Sequence, residues 1–213
     1  MAKFRNKYRI ESNRMPYWDY AGKGMYFITF VTQNRVCNLG EIQKIDGKAV
    51  VVLSDFGKIV KSEWLKSFEI RDELFCDEYI IMPNHLHAIV ILKKMKNNKN
   101  KTGGMDGYPD YHGYHGYHVE THGRASLLFR KPQSISSFIA GFKSVVNSKI
   151  DDYIDEKNLN IPKYNRNNHF FQPNYYDHII RNKKEYYRIK NYIINNPDNW
   201  NIDKFNNKNN RDI

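Results

Sequence analysis

The chain is poor in cysteine. Only Cys37 and Cys76 occur in 213 residues. They do not form a Cys-x-x-Cys pair, so neither a disulfide framework nor a zinc knuckle is expected, and the composition suits a reducing compartment. Long apolar runs are also missing. No stretch approaches the ~18 residues that a membrane-spanning helix needs. The basic start, from Met1 to Arg9, has no apolar segment behind it, so neither an anchor nor a secretory leader is expected. The reading is therefore cytoplasmic. Acidic residues are scarce: 23 Asp+Glu against 34 Lys+Arg leave a net charge of +11 and a pI near 9.4. A basic surface of this size favours polyanions, of which DNA and RNA are the commonest; a solvated surface without a partner is the other reading.

Aromatic residues are plentiful, with 16 Tyr and 12 Phe. Rings interleaved with cations suit unpaired bases, which stack on the rings while Lys and Arg hold phosphates. A core use of the same rings is the alternative. The length fits one domain over 1–213.

Tyr26 to Thr32 is rich in β-branched and aromatic residues and predicts a strand. A weaker hairpin over 36–53 turns near Asp46-Gly47. Ser54 caps a predicted helix running to about Lys66, with Phe56, Val60 and Trp64 on its buried side. Strands follow over about 74–82 and 85–93, with Pro83-Asn84 as the turn signal between them. Residues 94–125 carry a Lys/Asn run, Gly103-Gly104 and a Tyr-His-Gly repeat through His118. They offer no core and predict a disordered insertion. Ser134 opens an amphipathic helix whose stripe is Ile135, Phe138, Ile139, Phe142, Val146 and Ile150. Residues 169–181 read as extended. Asn182 then caps a last helix, with Glu185 placed as a capping-box partner, ending before Pro197. This order gives an α+β fold with a split β-α-β, ferredoxin-like layout: an antiparallel sheet with helices packed on it.

The feature richest in chemistry is His85-Leu86-His87, at the start of a strand that is apolar on both faces. Residues i and i+2 of a strand share a face, so the two imidazoles stand side by side. Such a pair is either two satisfied core histidines or half of a metal site. On the last helix, Tyr186, Ile189 and Ile193 form the apolar stripe. At 100° per residue Tyr192 lies about 60°, and Asn196 about 20°, from Ile189, so both line the edge of the buried face. They are also i and i+4, hence neighbours. Periodicity does not select Tyr192 over Tyr175, Tyr176, Tyr186 or Tyr187.

Met82-Pro83-Asn84-His85-Leu86-His87 resembles the His-hydrophobic-His core of the HUH single-tyrosine transposases, and more closely that of the IS200-like, REP-associated tyrosine transposases. Further stretches agree in order: Tyr17-Trp18-Asp19-Tyr20 with Tyr26-Phe27-Ile28-Thr29, Gly141-Phe142-Lys143-Ser144, Gln172 to Arg181, and Tyr192-Ile193-Ile194-Asn195-Asn196-Pro197. The resemblance implies that His85 and His87 are metal ligands, Tyr192 the nucleophile and Asn196 the third ligand, with Mg²⁺ or Mn²⁺ as cofactor. It implies a single-stranded DNA substrate folded as a hairpin, cleaved and rejoined through a 5′-phosphotyrosine. Lys143, Arg130, Lys131 and Arg181 are the candidate phosphate contacts. Relatives in that family occur as monomers and as homodimers with the tyrosine acting in trans, and a place beside the bacterial nucleoid follows from the substrate. Two rivals stay open: a hairpin-binding regulator that does not cut, and an RNA-binding module with a similar sheet.

Overall fold

The computed structural model describes residues 3–4, 7–8, 18–93, 133–165 and 167–206. The predicted insertion over 94–125, with its Tyr-His-Gly repeat, lies outside the described residues, as do Arg130 and Lys131. The strands are β1 (Lys3–Phe4), β2 (Lys7–Tyr8), β3 (Gly24–Val31), β4 (Gly40–Ile45), β5 (Lys48–Leu53), β6 (Leu74–Ile81), β7 (His85–Leu92) and β8 (Tyr176–Ile179). The helices are α1 (Asp55–Glu69), α2 (Ile135–Glu156) and α3 (Lys183–Ile194), with short 3₁₀ turns at Gln33–Arg35 and Trp200–Ile202.

The main sheet has the order β6-β7-β3-β8, with every neighbouring pair antiparallel. Its elements follow in the chain as β3-α1-β6-β7-α2-β8. This is the ferredoxin-like, split β-α-β arrangement that the sequence predicts. The period-two alternation of β3 and β7 divides two apolar layers. Tyr26, Ile28 and Phe30 of β3, with Leu86, Ala88 and Val90 of β7, pack against Val60 and Trp64 of α1 and Phe138, Phe142, Val146 and Ile150 of α2. Trp64 sits among Phe68, Phe142 and Phe138 at ring distances of 5.0, 5.2 and 5.6 Å. On the opposite face Phe27 and Ile89 meet Ile189 and Ile193 of α3. The face that carries His85 and His87 is therefore the α3 face.

Local chemistry sets the element ends. Ser54 Oγ accepts from Gly57 N at 3.1 Å, and α1 runs past Lys66 to Glu69. Ser134 and Ser137 form a reciprocal capping box at the start of α2. Asn182 Oδ1 accepts from Glu185 N at 2.9 Å. The Glu185 carboxylate accepts from Arg181 N at 3.0 Å and lies 2.7 Å from His178 Nε2, bracing the turn into α3. The β4–β5 hairpin turns through Asp46 and Gly47, whose φ of 51° and 78° suit a tight primed turn. Only part of the expected 169–181 segment is strand: Phe171 makes a single bridge to Thr32, and β8 covers Tyr176–Ile179. Pro173 has no N–H for a ladder.

Candidate metal centre beside Tyr192

β7 delivers His85 and His87 to the α3 face with ring centroids 4.5 Å apart. Their exposures are 0% and 1%. His87 is paired in register with Thr29 of β3, and Thr29 Oγ1 lies 2.7 Å from His87 Nδ1. His85 takes its partner from its own neighbour: His85 Nδ1 is 2.9 Å from Asn84 Oδ1. The other nitrogen of His87 faces α3.

Tyr192 comes from α3, which stops at Ile194 instead of running on to Pro197, and Asn196 comes from the turn just beyond it. Tyr192 is 38% exposed and Asn196 fully buried. Tyr192 Oη lies 3.2 Å from His87 Nε2 and 3.5 Å from Asp203 Oδ2. Asn196 Nδ2 reaches Asp203 Oδ2 at 3.4 Å. Asp203 follows the Trp200–Ile202 turn, and its other oxygen accepts from Phe205 N at 2.6 Å. The donor atoms of His85, His87 and Asp203 lie within 4.8 Å of one another, all on buried residues, and this cluster can hold a metal ion. Rings close the rest of the site: Phe205 is 4.8 Å and Trp200 6.0 Å from His85, and Phe27 is 5.2 Å from His87.

Burial governs the electrostatics. It holds the His85 imidazolium well below the usual value; Asp203 opposes that shift and Lys204 adds to it. His87 is lowered by burial, then by His85 and Lys204. Both rings are neutral at pH 7 and so available as ligands. The Tyr192 phenol is pushed up to about 12, first by burial and then by the Asp203 charge.

Among the described residues, two buried atoms of this site have no hydrogen-bond partner: His85 Nε2 and Asn196 Oδ1. Leaving such groups unmade inside a protein is costly. A divalent cation accepted by imidazole nitrogen and by carboxylate and amide oxygen matches these orphans and the Asp203 carboxylate. The residues present fit a bound metal.

The sequence-predicted residues divide. His85, His87, Tyr192 and Asn196 come together. Lys143 Nζ donates to the carbonyls of Gln172, Pro173 and Asn174 at 2.7, 3.2 and 3.2 Å. An ammonium has three N–H donors, so this lysine clasps the loop before β8. Arg181 is exposed on the turn into α3. Neither the strand period nor the helical period marks Asp203 or Lys204. They lie beyond Pro197, where the helical period has ended, and the only signal is a carboxylate set among Trp200, Ile202 and Phe205.

The fold is ferredoxin-like α+β, and its buried His-x-His pair faces a tyrosine, an asparagine and an aspartate. No family model matches the chain. The chain is 32% identical over 196 residues to an uncharacterized protein of Haemophilus influenzae, covering 91% of each. It belongs to that protein's family. Among solved structures it is similar to a REP-associated tyrosine transposase bound to a REP hairpin, with 17% identity, 96% of this chain and 77% of that chain covered, and a TM-score of 0.47. It is also similar to a candidate transposase of Deinococcus radiodurans, with 13% identity, 87% and 97% covered, and a TM-score of 0.35. Among the described residues, no helix is long and apolar enough to cross a membrane.

Proposed function

We propose that the protein is a metal-dependent DNA strand transferase. It cuts and rejoins single-stranded DNA beside hairpins, with Tyr192 as the nucleophile. The observation that carries this reading is the meeting of two orphaned donor atoms, His85 Nε2 and Asn196 Oδ1, with a phenol held 3.2 Å from His87 Nε2. The resemblance of Met82–His87 and Tyr192–Pro197 to the HUH transposases supports it, as does the net charge of +11.

His85, His87, Asp203 and Asn196 are the residues that would hold Mg²⁺ or Mn²⁺. When bound, the cation polarises a phosphoryl oxygen and offsets the negative charge that repels an incoming phenolate. The chain supplies the rest. Tyr192, at the exposed edge of α3, presents Oη to a phosphorus entering from solvent. The Tyr192 O–P bond forms as the P–O3′ bond breaks. The phenolic proton leaves to solvent at the exposed edge of the site, and solvent returns one to the departing 3′ oxygen. The products are a 5′-phosphotyrosine and a free 3′-OH, with no other reactant consumed. The covalent bond conserves the energy needed for rejoining. Attack of a 3′-OH reverses the step.

Lys204 is placed to meet the strand. Its exposed ammonium stands 4.9 Å over the Phe205 ring and 5.8 Å over that of Tyr176, and its charge is felt at both imidazoles. Tyr176, 46% exposed, offers a face on which a base can stack.

The test is a covalent adduct between the full chain and a labelled hairpin with single-stranded flanks. The adduct should need Mg²⁺ or Mn²⁺, and Tyr192→Phe should abolish it while leaving hairpin binding unchanged. A variant that still forms the adduct overturns the assignment. Binding without cleavage, across both metals and several hairpins, favours a non-cutting regulator instead.

A further inference from the structure

Asn84 is fully buried, and every polar group of its side chain is engaged. Its Nδ2 donates to Phe205 O at 2.8 Å and to Arg35 O at 3.0 Å. Both partners are backbone carbonyls, which only accept. The amide is therefore oriented without ambiguity, and Oδ1 must face His85. Because Oδ1 only accepts, the proton on His85 belongs to Nδ1. The lone pair is then on Nε2, the same atom that lies buried without a hydrogen-bond partner in the site. His87 differs: its Nδ1 neighbour is the Thr29 hydroxyl, which can donate or accept and so fixes no tautomer.

The same amide ties together segments far apart in sequence. Phe205 is two residues from Asp203 and 121 from Asn84. Arg35 returns the connection, donating from Nη1 to Lys204 O at 3.1 Å. The main chain of Asn84 is itself held, its carbonyl accepting from Thr32 N at 2.9 Å. A side chain able to do all this needs two N–H groups and one acceptor on a short stem. Aspartate lacks the donors and leucine lacks everything but the volume.

We propose that Asn84 is the positioning residue of the site: one amide selects the His85 tautomer that leaves Nε2 available to a divalent cation, and pins the segment carrying Asp203 against β7. The proposal rests on the reading of this cluster as a cation site. Its first half concerns the cation-free protein and is measured there.

The full chain is compared with Asn84→Leu and Asn84→Asp. Long-range ¹H–¹⁵N correlation spectra of cation-free protein, with His85 assigned by its loss in His85→Gln, report the tautomer. Titration with Mn²⁺ reports the cation, and amide exchange reports the Trp200–Asn206 segment. Wild type should show His85 protonated on Nδ1. Asn84→Leu should mix the tautomers and weaken Mn²⁺ binding about 10–100-fold, the range for lost partners of ligating histidines. Asn84→Asp keeps an acceptor for His85 but turns an anion toward two carbonyls. It should preserve the tautomer, speed exchange over 200–206 and still lose affinity. Wild-type His85 protonated on Nε2, or a folded Asn84→Leu with an unchanged tautomer and affinity, overturns the proposal. Should Asn84→Leu not fold, the wild-type spectrum and the Asn84→Asp exchange decide it. Wild type that binds no Mn²⁺ ends the cation reading, while the spectra still pass or fail Asn84.

Discussion

The hydroxyl of Tyr192 lies 3.2 Å from Nε2 of His87, although 105 positions separate the two residues. The β7 strand and the α3 helix carry them, and the packing of Ile189 and Ile193 on Ile89 fixes the distance. The meeting places a phenol among groups that change its acidity. Asp203 is the charged one, and it raises the phenol on top of the larger effect of burial. Asp203→Asn should therefore bring Tyr192 down from about 12, yet leave it above the ordinary value of about 10, because burial persists. Ultraviolet titration of each protein against its Tyr192→Phe counterpart isolates this phenol. The same variant should bind Mn²⁺ at least ~10-fold more weakly. An unchanged titration would separate Asp203 from the phenol.

Acid should destabilise the protein through the two imidazoles. Both are held below the usual value when folded, His85 and His87 alike, chiefly by burial. Above about pH 6.5 both folded and unfolded imidazoles are neutral, and this contribution is fully present. As pH falls through that value the unfolded chain takes up protons that the folded chain refuses, so stability falls until the folded rings also protonate. Urea midpoints should drop between pH 7 and pH 5. The drop should be smaller in His85→Gln than in wild type.

The three N–H donors of Lys143 are engaged by the carbonyls of Gln172, Pro173 and Asn174. Lys143→Met should loosen that loop, seen as faster amide exchange at 174–176. The salt dependence of hairpin binding should keep its slope, since a lost phosphate contact would reduce it by about one. Lys204→Met should show the opposite pattern.

The dock of α3 onto β6 runs through Asp77, whose Oδ2 accepts from Tyr186 Oη at 2.8 Å and from Lys190 Nζ at 3.1 Å. Asp77→Asn should speed amide exchange over Lys183–Ile194 more than over α1 or α2. Uniform acceleration would mean that the helix is held by its apolar stripe alone.

Trp64 is fully buried among four phenylalanines, with Phe30 5.9 Å away. Trp64→Ala should cost about 3–5 kcal/mol, the range for removing a large core ring. Chemical denaturation reads this directly.

Much of the fold was legible in the sequence because its signals are local. The stripe from Ile135 to Ile150 predicts α2, and every one of its members is buried. Ser54, Ser134 and Asn182 each cap the helix that they announce. The extended reading of 169–181 yields a ladder only in part, since a strand forms only where a neighbour supplies its hydrogen bonds. Here β3 pairs with Tyr176–Ile179, and Thr32 bridges to Phe171 alone.

His85 and His87 on one face follow from the two-residue period of a strand, and Tyr192 at the edge of the apolar stripe of α3 follows from the helical period, whereas Asn196 sits on the turn past the helix end. The two periods are properties of the chain by itself. Which face meets which edge is decided by how two apolar layers divide across the sheet, a global outcome of packing. Asp203 lies outside any period, on a turn whose place depends on contacts made by Asn84, Arg35 and Phe205 from distant parts of the chain. Periodicity registers residues that share one element; a site closed by three separate segments becomes visible only when the chain has folded and brought their polar atoms within hydrogen-bonding reach.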